Sequence, residues 1–286
     1  MSLIFEKYHG FGTDYFIFDL NKNQKAFNTD IIRFLYKGNL GYGSKGIIVG
    51  PYITKNTINF KVYNPSGIQI ANTDVESSIF FKYLKDSGYS QTVNIMTNNN
   101  NLNGGVTVME DNNMITITMG TLSFHSNDIG MNTLKGEMIN IPFYFGGREY
   151  WSTCVYTDSP HLVIPMEEIS AEKVRNIGKY SENAKYFSNP MNTEIVKVLD
   201  RNNIQIEMFQ HGIGYTVSSV ECAIAAAGVV YKLGLVDSNL TVHMPGGKLL
   251  VNLNKDMEIN VTSKISSVGQ VYLLDEYIDN KMDLTY

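Results

Sequence analysis

A helix that is apolar on nearly every side limits what this chain can fold into. Residues 220–233 are predicted to be helical and contain the run CAIAAAGVV at 222–230. A helix at a protein surface keeps one polar face, so a helix without one belongs in the centre of a domain. The run is much shorter than the roughly 20 apolar residues that span a bilayer. The rest of the chain must therefore build a layer around it.

Most of the remaining chain consists of short β-branched or aromatic runs separated by turn residues, a pattern that predicts strands. The predicted strands are residues 15–20, 47–49, 58–63, 93–97, 106–109, 114–118, 154–156, 195–199, 204–209 and 248–253. A second well-defined helix is predicted over residues 74–85, and shorter helices over 29–37 and 171–177. The sequence therefore predicts a sheet-rich protein with few helices.

The order of these elements suggests an internal repeat. Each half runs through strands, a polar glycine-containing loop, a helix and further strands. Thr73 and Ser219 stand directly before the two main helices, at equivalent points of the two halves. A repeat of this kind predicts two similar domains with equivalent helix starts.

Composition restricts the class of protein. The 286 residues are 43% hydrophobic, which predicts substantial cores rather than disorder. The basic residues are scattered, whereas nucleic acids and anionic membranes attract clustered lysine and arginine. The first residues lack the pattern of a signal peptide, and Cys154 and Cys222 have neither CxxC nor metal-site spacing. We therefore expect a cytoplasmic protein with reduced thiols, no metal, and no nucleic-acid or membrane partner.

Both main helices begin with a capping pattern. Thr73 and Glu76 form T-x-x-E, and Ser218 and Glu221 form S-x-x-E. In a capping box the hydroxyl accepts from a helix amide while the carboxylate accepts from the first amide. Unpaired amides at a helix start also attract anions, and are therefore potential carboxylate-binding sites. A capping carboxylate opposes such binding because it occupies an amide and repels an anion.

Short motifs along nearly the whole chain resemble those of the diaminopimelate epimerase family in order and spacing. The opening KYHGFGTDY at residues 7–15 resembles the family's KxHGxGNDF. The other matching segments are residues 41–46, 63–67, 80–84, 159–161, 187 with 192, 212–216 and 245–247. The specificity of the resemblance lies in the ordered set of motifs.

This resemblance implies an α/β fold of two pseudo-symmetric domains, each a mostly antiparallel sheet wrapped around a central helix. The domains would span residues 1–120 together with about 268–286, and residues 121–267. A substrate would bind in the cleft between them, and two cysteines would act as acid and base without a cofactor. The resemblance also implies a homodimer, a small amino-acid or carboxylate ligand, and a place in lysine biosynthesis.

The chain departs from the family at the positions that carry the chemistry. Counting from the matched motifs places the family's two catalytic cysteines on Thr73 and Ser219. The residues that follow each cysteine in the family correspond to positions 74–76 and 220–222 of this chain, where other residue types stand. The substrate-binding positions that the resemblance assigns are Asn64, Asn192, Thr13, Ser159, His161 and His211. Asn64 and Asn192 keep the family's asparagine, while Thr13 and Ser159 replace it and Gln210–His211 replaces Glu–Arg.

These departures lead to three functional hypotheses. A thiol at a helix start is a far better base than a hydroxyl. The first hypothesis is therefore a protein with the family scaffold that binds an amino-acid-like or carboxylate ligand and lacks two-thiol epimerase activity. The second is an isomerase that uses Asp74, Glu76 or Glu221, as phenazine-biosynthesis isomerases use carboxylates, with His161 as a further candidate. The third is an active amino-acid epimerase. Cys222, one turn inside its helix, is interpreted as a core residue.

Overall fold

The computed structural model describes residues 2–36, 43–53, 58–71, 73–89, 114–131 and 135–276. The predicted strands at 93–97 and 106–109 lie outside this part of the chain. The chain divides into two compact units, one formed by Met1–Ile117 with Lys264–Tyr286 and the other by Thr118–Ser263. Each unit is a sheet with helices packed on it, so the predicted α/β class is confirmed.

The first unit contains a six-stranded sheet in the order β16-β1-β2-β3-β4-β5. Only the β2–β3 pair is parallel among its adjacent strands. Its elements are β1 (Ser2–Gly10), β2 (Thr13–Asp19), α1 (Thr29–Tyr36), β3 (Gly46–Ile53), β4 (Ile58–Tyr63), β5 (Gln69–Ile70), α2 (Asp74–Asp86) and β16 (Ser266–Leu274). Helix α2 packs on β1 and β2, and a separate cluster joins Ile32 and Leu35 of α1 to Phe5, Phe16 and Phe18 of the sheet.

The second unit is built on a ten-stranded sheet in the order β6-β15-β14-β13-β11-β10-β9-β8-β7, with β12 paired to β11. Its elements are β6 (Met114–Thr121), α3 (Ser126–Ile129), β7 (Ile141–Phe145), β8 (Arg148–Tyr156), β9 (Pro160–Pro165), α4 (Ala171–Ser181), β10 (Asn192–Asp200), β11 (Asn203–Gln210), β12 (Gly214–Thr216), α5 (Val220–Lys232), β13 (Asn239–Met244), β14 (Gly247–Leu253) and β15 (Glu258–Lys264). The first four residues of β6 belong to the first unit. Antiparallel pairs predominate, with parallel pairing of β9–β10 and β11–β13.

Helix α5 is the centre of the second unit. Every residue from Cys222 to Val230 is buried, and the helix packs against β8, β9, β10, β11, β13 and β14. The alanine-rich composition explains this position, because small side chains let strands on several sides approach the helix. The predicted central helix is confirmed. In the described part of the chain, no helix is long and apolar enough to cross a membrane.

A glycine in α4 marks a very close helix–sheet contact. A Cβ atom on Gly178 would lie 2.3 Å from Cγ of Phe209 in β11. Alanine normally gains about 1 kcal/mol over glycine inside a helix, whereas overpacking costs about 1–3 kcal/mol. We expect Gly178→Ala to lower the free energy of unfolding by up to about 2 kcal/mol net, an overpacking cost of about 3 less the helix gain of about 1, measured by urea denaturation. The penalty should shrink in a Phe209→Leu background, and a stabilised Gly178→Ala variant would contradict this packing.

Candidate functional site

The start of α2 is closed by a capping box, as the sequence predicts. Thr73 is the N-cap residue, and its hydroxyl accepts from the Val75 amide at 3.3 Å. The Thr73 amide donates to Oε2 of Glu76 at 2.7 Å, and the Thr73 hydroxyl donates to the same oxygen. The hydroxyl at this position is thus committed to contacts within its own helix start.

The second carboxylate oxygen of Glu76 is also occupied. The Tyr15 hydroxyl donates to Oε1, and both side chains are buried, with Glu76 only 4% exposed. Burial raises the pKa of the Tyr15 phenol well above its ordinary value, and the negative charge of Glu76 raises it further. Glu76 is therefore anchored on both oxygens by groups of the first unit. The side chain of Asp74 lies outside the described part of the structure.

The start of α5 is capped differently from the prediction. Ser219, not Ser218, is the N-cap residue, and its hydroxyl accepts from the Cys222 amide at 3.3 Å. Glu221 is consequently the second residue of the helix, one position short of the capping-box carboxylate, so the S-x-x-E interpretation is wrong. The hydroxyl of Ser219 also accepts from Nε2 of Gln210 at 3.3 Å. The Gln210 amide contacts the N-cap hydroxyl of α5, whereas the Glu76 carboxylate contacts the N-cap hydroxyl of α2.

A buried polar cluster lies where α5 packs against β9 and β10. Its members are His161 on β9, Glu194 on β10 and Cys222 in the first turn of α5, and all three are 0% exposed. The parallel register pairs His161 with Asn192, and residues two apart on a strand share a face, so Glu194 points to the same side. Nδ1 of His161 lies 2.8 Å from Oε1 of Glu194.

The predicted ligand-binding residues of the second unit extend this cluster. Oγ of Ser159 lies 3.1 Å from Nε2 of His161, and Nδ2 of Asn192 donates to the same hydroxyl at 3.0 Å. Oδ1 of Asn192 accepts from the backbone amide of His211 at 2.9 Å. Four residues that the sequence analysis named from three motifs are therefore joined in one hydrogen-bonded network, together with Glu194.

Glu182 anchors the outer end of this network. Its Oε1 accepts from the Gly212 amide at 2.8 Å and lies 2.9 Å from Nδ1 of His211. The hydrogen bond from Gly212 lowers the pKa of the Glu182 carboxyl, and the contact with His211 lowers it further. Sequence analysis missed both Glu182 and Glu194. Glu194 carried a usable signal, since it is a charged residue inside an otherwise apolar strand.

The remaining predicted positions lie in the first unit. Oδ1 of Asn64 accepts from the amides of Ser66 and Ile68, both at 3.0 Å, and thereby supports the turn after β4. Thr13 begins β2 and pairs with Gly10 across the β1–β2 hairpin. These contacts give both residues a structural role inside their own unit, beside the ligand-binding role that the family resemblance implies.

The two cysteines are both fully buried. Burial raises the pKa of the Cys154 thiol, and it raises the pKa of the Cys222 thiol well above its ordinary value. The neighbouring Glu194 carboxylate raises the pKa of Cys222 further. Each thiol is therefore held in its protonated form, which is neither a strong nucleophile nor a strong base.

His161, Glu194 and Cys222 also have the donor types of a zinc site. One potential ligand atom from each lies within 4.8 Å of the other two. Both ring nitrogens of His161 are engaged, however, with Glu194 on one side and Ser159 on the other. An ion would have to displace at least one of these hydrogen bonds, so the arrangement favours a hydrogen-bonded network over a metal centre.

Solved structures of other proteins share the fold of this chain. A phenazine biosynthesis PhzF-family protein from Enterococcus faecalis superposes with a TM-score of 0.61 at 11% identity, covering 96% of this chain and 100% of that one. A hydroxyproline epimerase from Agrobacterium vitis, with bound trans-4-hydroxy-L-proline, gives a TM-score of 0.56 at 9% identity, covering 95% and 92%. This chain therefore has the same fold as these two proteins.

Sequence comparison identifies the family of this chain. The sequence model of the diaminopimelate epimerase family matches residues 153–271. "Diaminopimelate epimerase 2" from Nostoc sp. is 32% identical over 278 residues, covering 95% of this chain and 96% of that protein. The chain belongs to the diaminopimelate epimerase family, which confirms the resemblance seen in its motifs.

Proposed function

We propose that this protein binds a small amino-acid-like or carboxylate ligand on its epimerase scaffold and does not carry out the two-thiol epimerase reaction. One observation carries this proposal. The chain has two cysteines, and both are fully buried with raised pKa values. The two positions that the motifs equate with the catalytic cysteines hold Thr73 and Ser219, whose hydroxyls cap helices.

The two hydroxyls are poorly suited to replace thiols as proton carriers. Removal of an α-proton from an amino acid needs a base that faces the substrate and ionises near working pH. A serine or threonine hydroxyl needs a neighbouring base to serve in this way. Ser219 is approached by the Gln210 amide, which cannot take its proton. Thr73 has a carboxylate beside it, but Glu76 is held on both oxygens as a capping residue.

The class of ligand follows from the polar groups that remain. The start of α5 and the amide side chains of Gln210 and Asn192 suit a carboxylate and its neighbouring polar groups. His211 stands where the family has arginine. Histidine supplies less fixed charge than arginine for the second zwitterionic end of a ligand such as diaminopimelate. The hydroxyproline epimerase that shares this fold binds a small amino acid, trans-4-hydroxy-L-proline.

Hydrogen–deuterium exchange at the α-carbon tests this proposal directly. The protein is incubated in heavy water with diaminopimelate and a panel of amino acids, and the α-proton signal is followed by NMR. We expect no exchange above the protein-free rate, together with a ligand-induced rise in melting temperature for at least one compound. A Thr73→Cys/Ser219→Cys variant serves as the matched gain-of-function control.

Three outcomes of this experiment would contradict the proposal. Exchange by the unmodified protein that disappears in Thr73→Ala or Ser219→Ala would show that the hydroxyls do carry protons. Turnover that disappears in Glu76→Gln or Glu221→Gln would instead support the carboxylate-based isomerase. The absence of a melting shift with every carboxylate tested would remove the binding role.

A further inference from the structure

The polar network of the second unit places a hydroxyl, an imidazole and a carboxylate in series. The Ser159 hydroxyl lies 3.1 Å from Nε2 of His161, and Nδ1 of the same ring lies 2.8 Å from Oε1 of Glu194. We propose that Ser159, His161 and Glu194 form a serine–histidine–glutamate triad that makes Ser159 a nucleophile toward small carboxylic esters. Such triads are recognised by geometry and roles and not by their order in the chain.

The surrounding hydrogen bonds set the proton positions that a triad needs. Oδ1 of Asn192 accepts from the His211 amide, so the amide group presents Nδ2 to Ser159 as a donor. Ser159 Oγ accepts that bond, and its own proton is left to point at Nε2 of His161. Nε2 is then the accepting nitrogen, and Nδ1 carries the proton that faces Glu194. This tautomer is the one in which a histidine acts as general base.

The exposure of the three side chains suits a triad, in which the nucleophile must be reachable and the carboxylate buried. His161 and Glu194 are 0% exposed, whereas Ser159, directly before β9, is partly exposed. Oε2 of Glu194 has no hydrogen-bond partner among the described residues, so the contact of this carboxylate with His161 is its principal polar interaction. A buried carboxylate beside the ring stabilises the imidazolium that forms when His161 accepts a proton.

The reaction balances with water as the second reactant. Ser159 Oγ forms a bond to the acyl carbon of the ester while its proton passes to Nε2 of His161. The C–O bond to the leaving alcohol then breaks, and the alcohol takes the proton from Nε2. Water next attacks the acyl-Ser159 ester, gives its proton through Nε2 to Ser159, and releases the carboxylic acid. The Asn192 amide lies beside the reacting oxygen and can donate to the oxyanion.

Covalent labelling tests the triad independently of epimerase chemistry. The protein is treated with p-nitrophenyl acetate and, separately, with a fluorophosphonate, and the modified peptide is located by mass spectrometry. We expect one label per chain, on Ser159, and none on that peptide in Ser159→Ala. Glu194→Gln should slow labelling on the order of 100-fold, since general-base assistance contributes that much or more.

Two further variants keep the result interpretable. Ser123→Ala, which removes a hydroxyl that bonds Asp128 outside the network, should label at the unmodified rate. Ser159→Cys should regain acylation by p-nitrophenyl acetate, which a merely structural role of the hydroxyl would not predict. An unlabelled wild-type protein, or labelling that persists in Ser159→Ala, would overturn the proposal.

Discussion

Replacing His161 with alanine is expected to lower the free energy of unfolding by about 3 to 5 kcal/mol, because it strands a buried carboxylate. His161 and Glu194 are both 0% exposed and lie 2.8 Å apart. The pair itself adds little net stability, since burial of both groups costs about as much as their attraction returns. Removal of His161 leaves the Glu194 carboxylate in a low-dielectric core without its 2.8 Å hydrogen bond to Nδ1.

Chemical denaturation followed by tryptophan fluorescence measures this loss. The single tryptophan, Trp151, lies in β8 of the second unit and reports on the unit that contains the pair. His243→Ala is the matched control, because His243 is partly exposed and bonds a neutral Asn203; its cost should be about 1 kcal/mol or less. Addition of Glu194→Gln to His161→Ala should return part of the lost stability. If His161→Ala lowered the free energy of unfolding by less than His243→Ala does, Glu194 would have found another partner.

Alkaline unfolding of the first unit is the second large effect that we expect. Tyr8, Tyr15 and Tyr83 are at most 2% exposed, and each hydroxyl donates to a carboxylate. Burial raises the pKa of all three phenols well above the ordinary value of 10.0, and the neighbouring carboxylates raise it further. Below pH 10 the folded and unfolded chains hold the same phenolic protons, so these groups give no pH dependence there.

Above pH 10 the unfolded chain loses these protons and the folded chain keeps them. The free energy of unfolding then falls by about 1.4 kcal/mol per pH unit for each tyrosine, or about 4 kcal/mol per unit for three. Circular dichroism and tyrosinate absorbance, recorded together during a pH titration, should therefore show ionisation and unfolding in one transition. Their separation, with tyrosinate formed near pH 10 in a folded protein, would contradict the burial of these phenols.

Two conservative variants test the source of the alkaline slope. Tyr83→Phe removes one buried phenol and should reduce the slope by about 1.4 kcal/mol per pH unit. Tyr272→Phe alters a tyrosine that is 54% exposed and should leave the slope unchanged. Slopes are the quantity to compare, because Tyr83→Phe also removes a hydrogen bond to Asp19 and lowers stability at every pH.

Local patterns in the sequence were sufficient for the parts of the fold that depend on few neighbouring residues. The apolar run at 222–230 predicted a central helix because no orientation of such a helix leaves a polar face for water. The T-x-x-E pattern predicted the cap of α2 because the box forms within one turn. The predicted start of α2 at Asp74 and of α5 at Val220 match the structure for the same reason.

Other features depend on chain segments that are distant in sequence. Strand β16 pairs with β1 across most of the chain, and nothing within either segment specifies that partner. The choice of Ser219 over Ser218 as the cap of α5 depends on backbone geometry and on Gln210, nine residues away. The S-x-x-E pattern alone could not separate two adjacent serines.

The sequence by itself determined the family, the sheet-rich α/β class and the hydroxyls at positions 73 and 219, because these reside in residue identity and short spacing. Only the tertiary structure decided what those residues face. It joined Ser159, His161 and Glu194 through a parallel strand register, and it enclosed Cys222 beside them. Hydrogen-bond geometry and desolvation act between neighbours in space, and the folded backbone alone makes these residues neighbours.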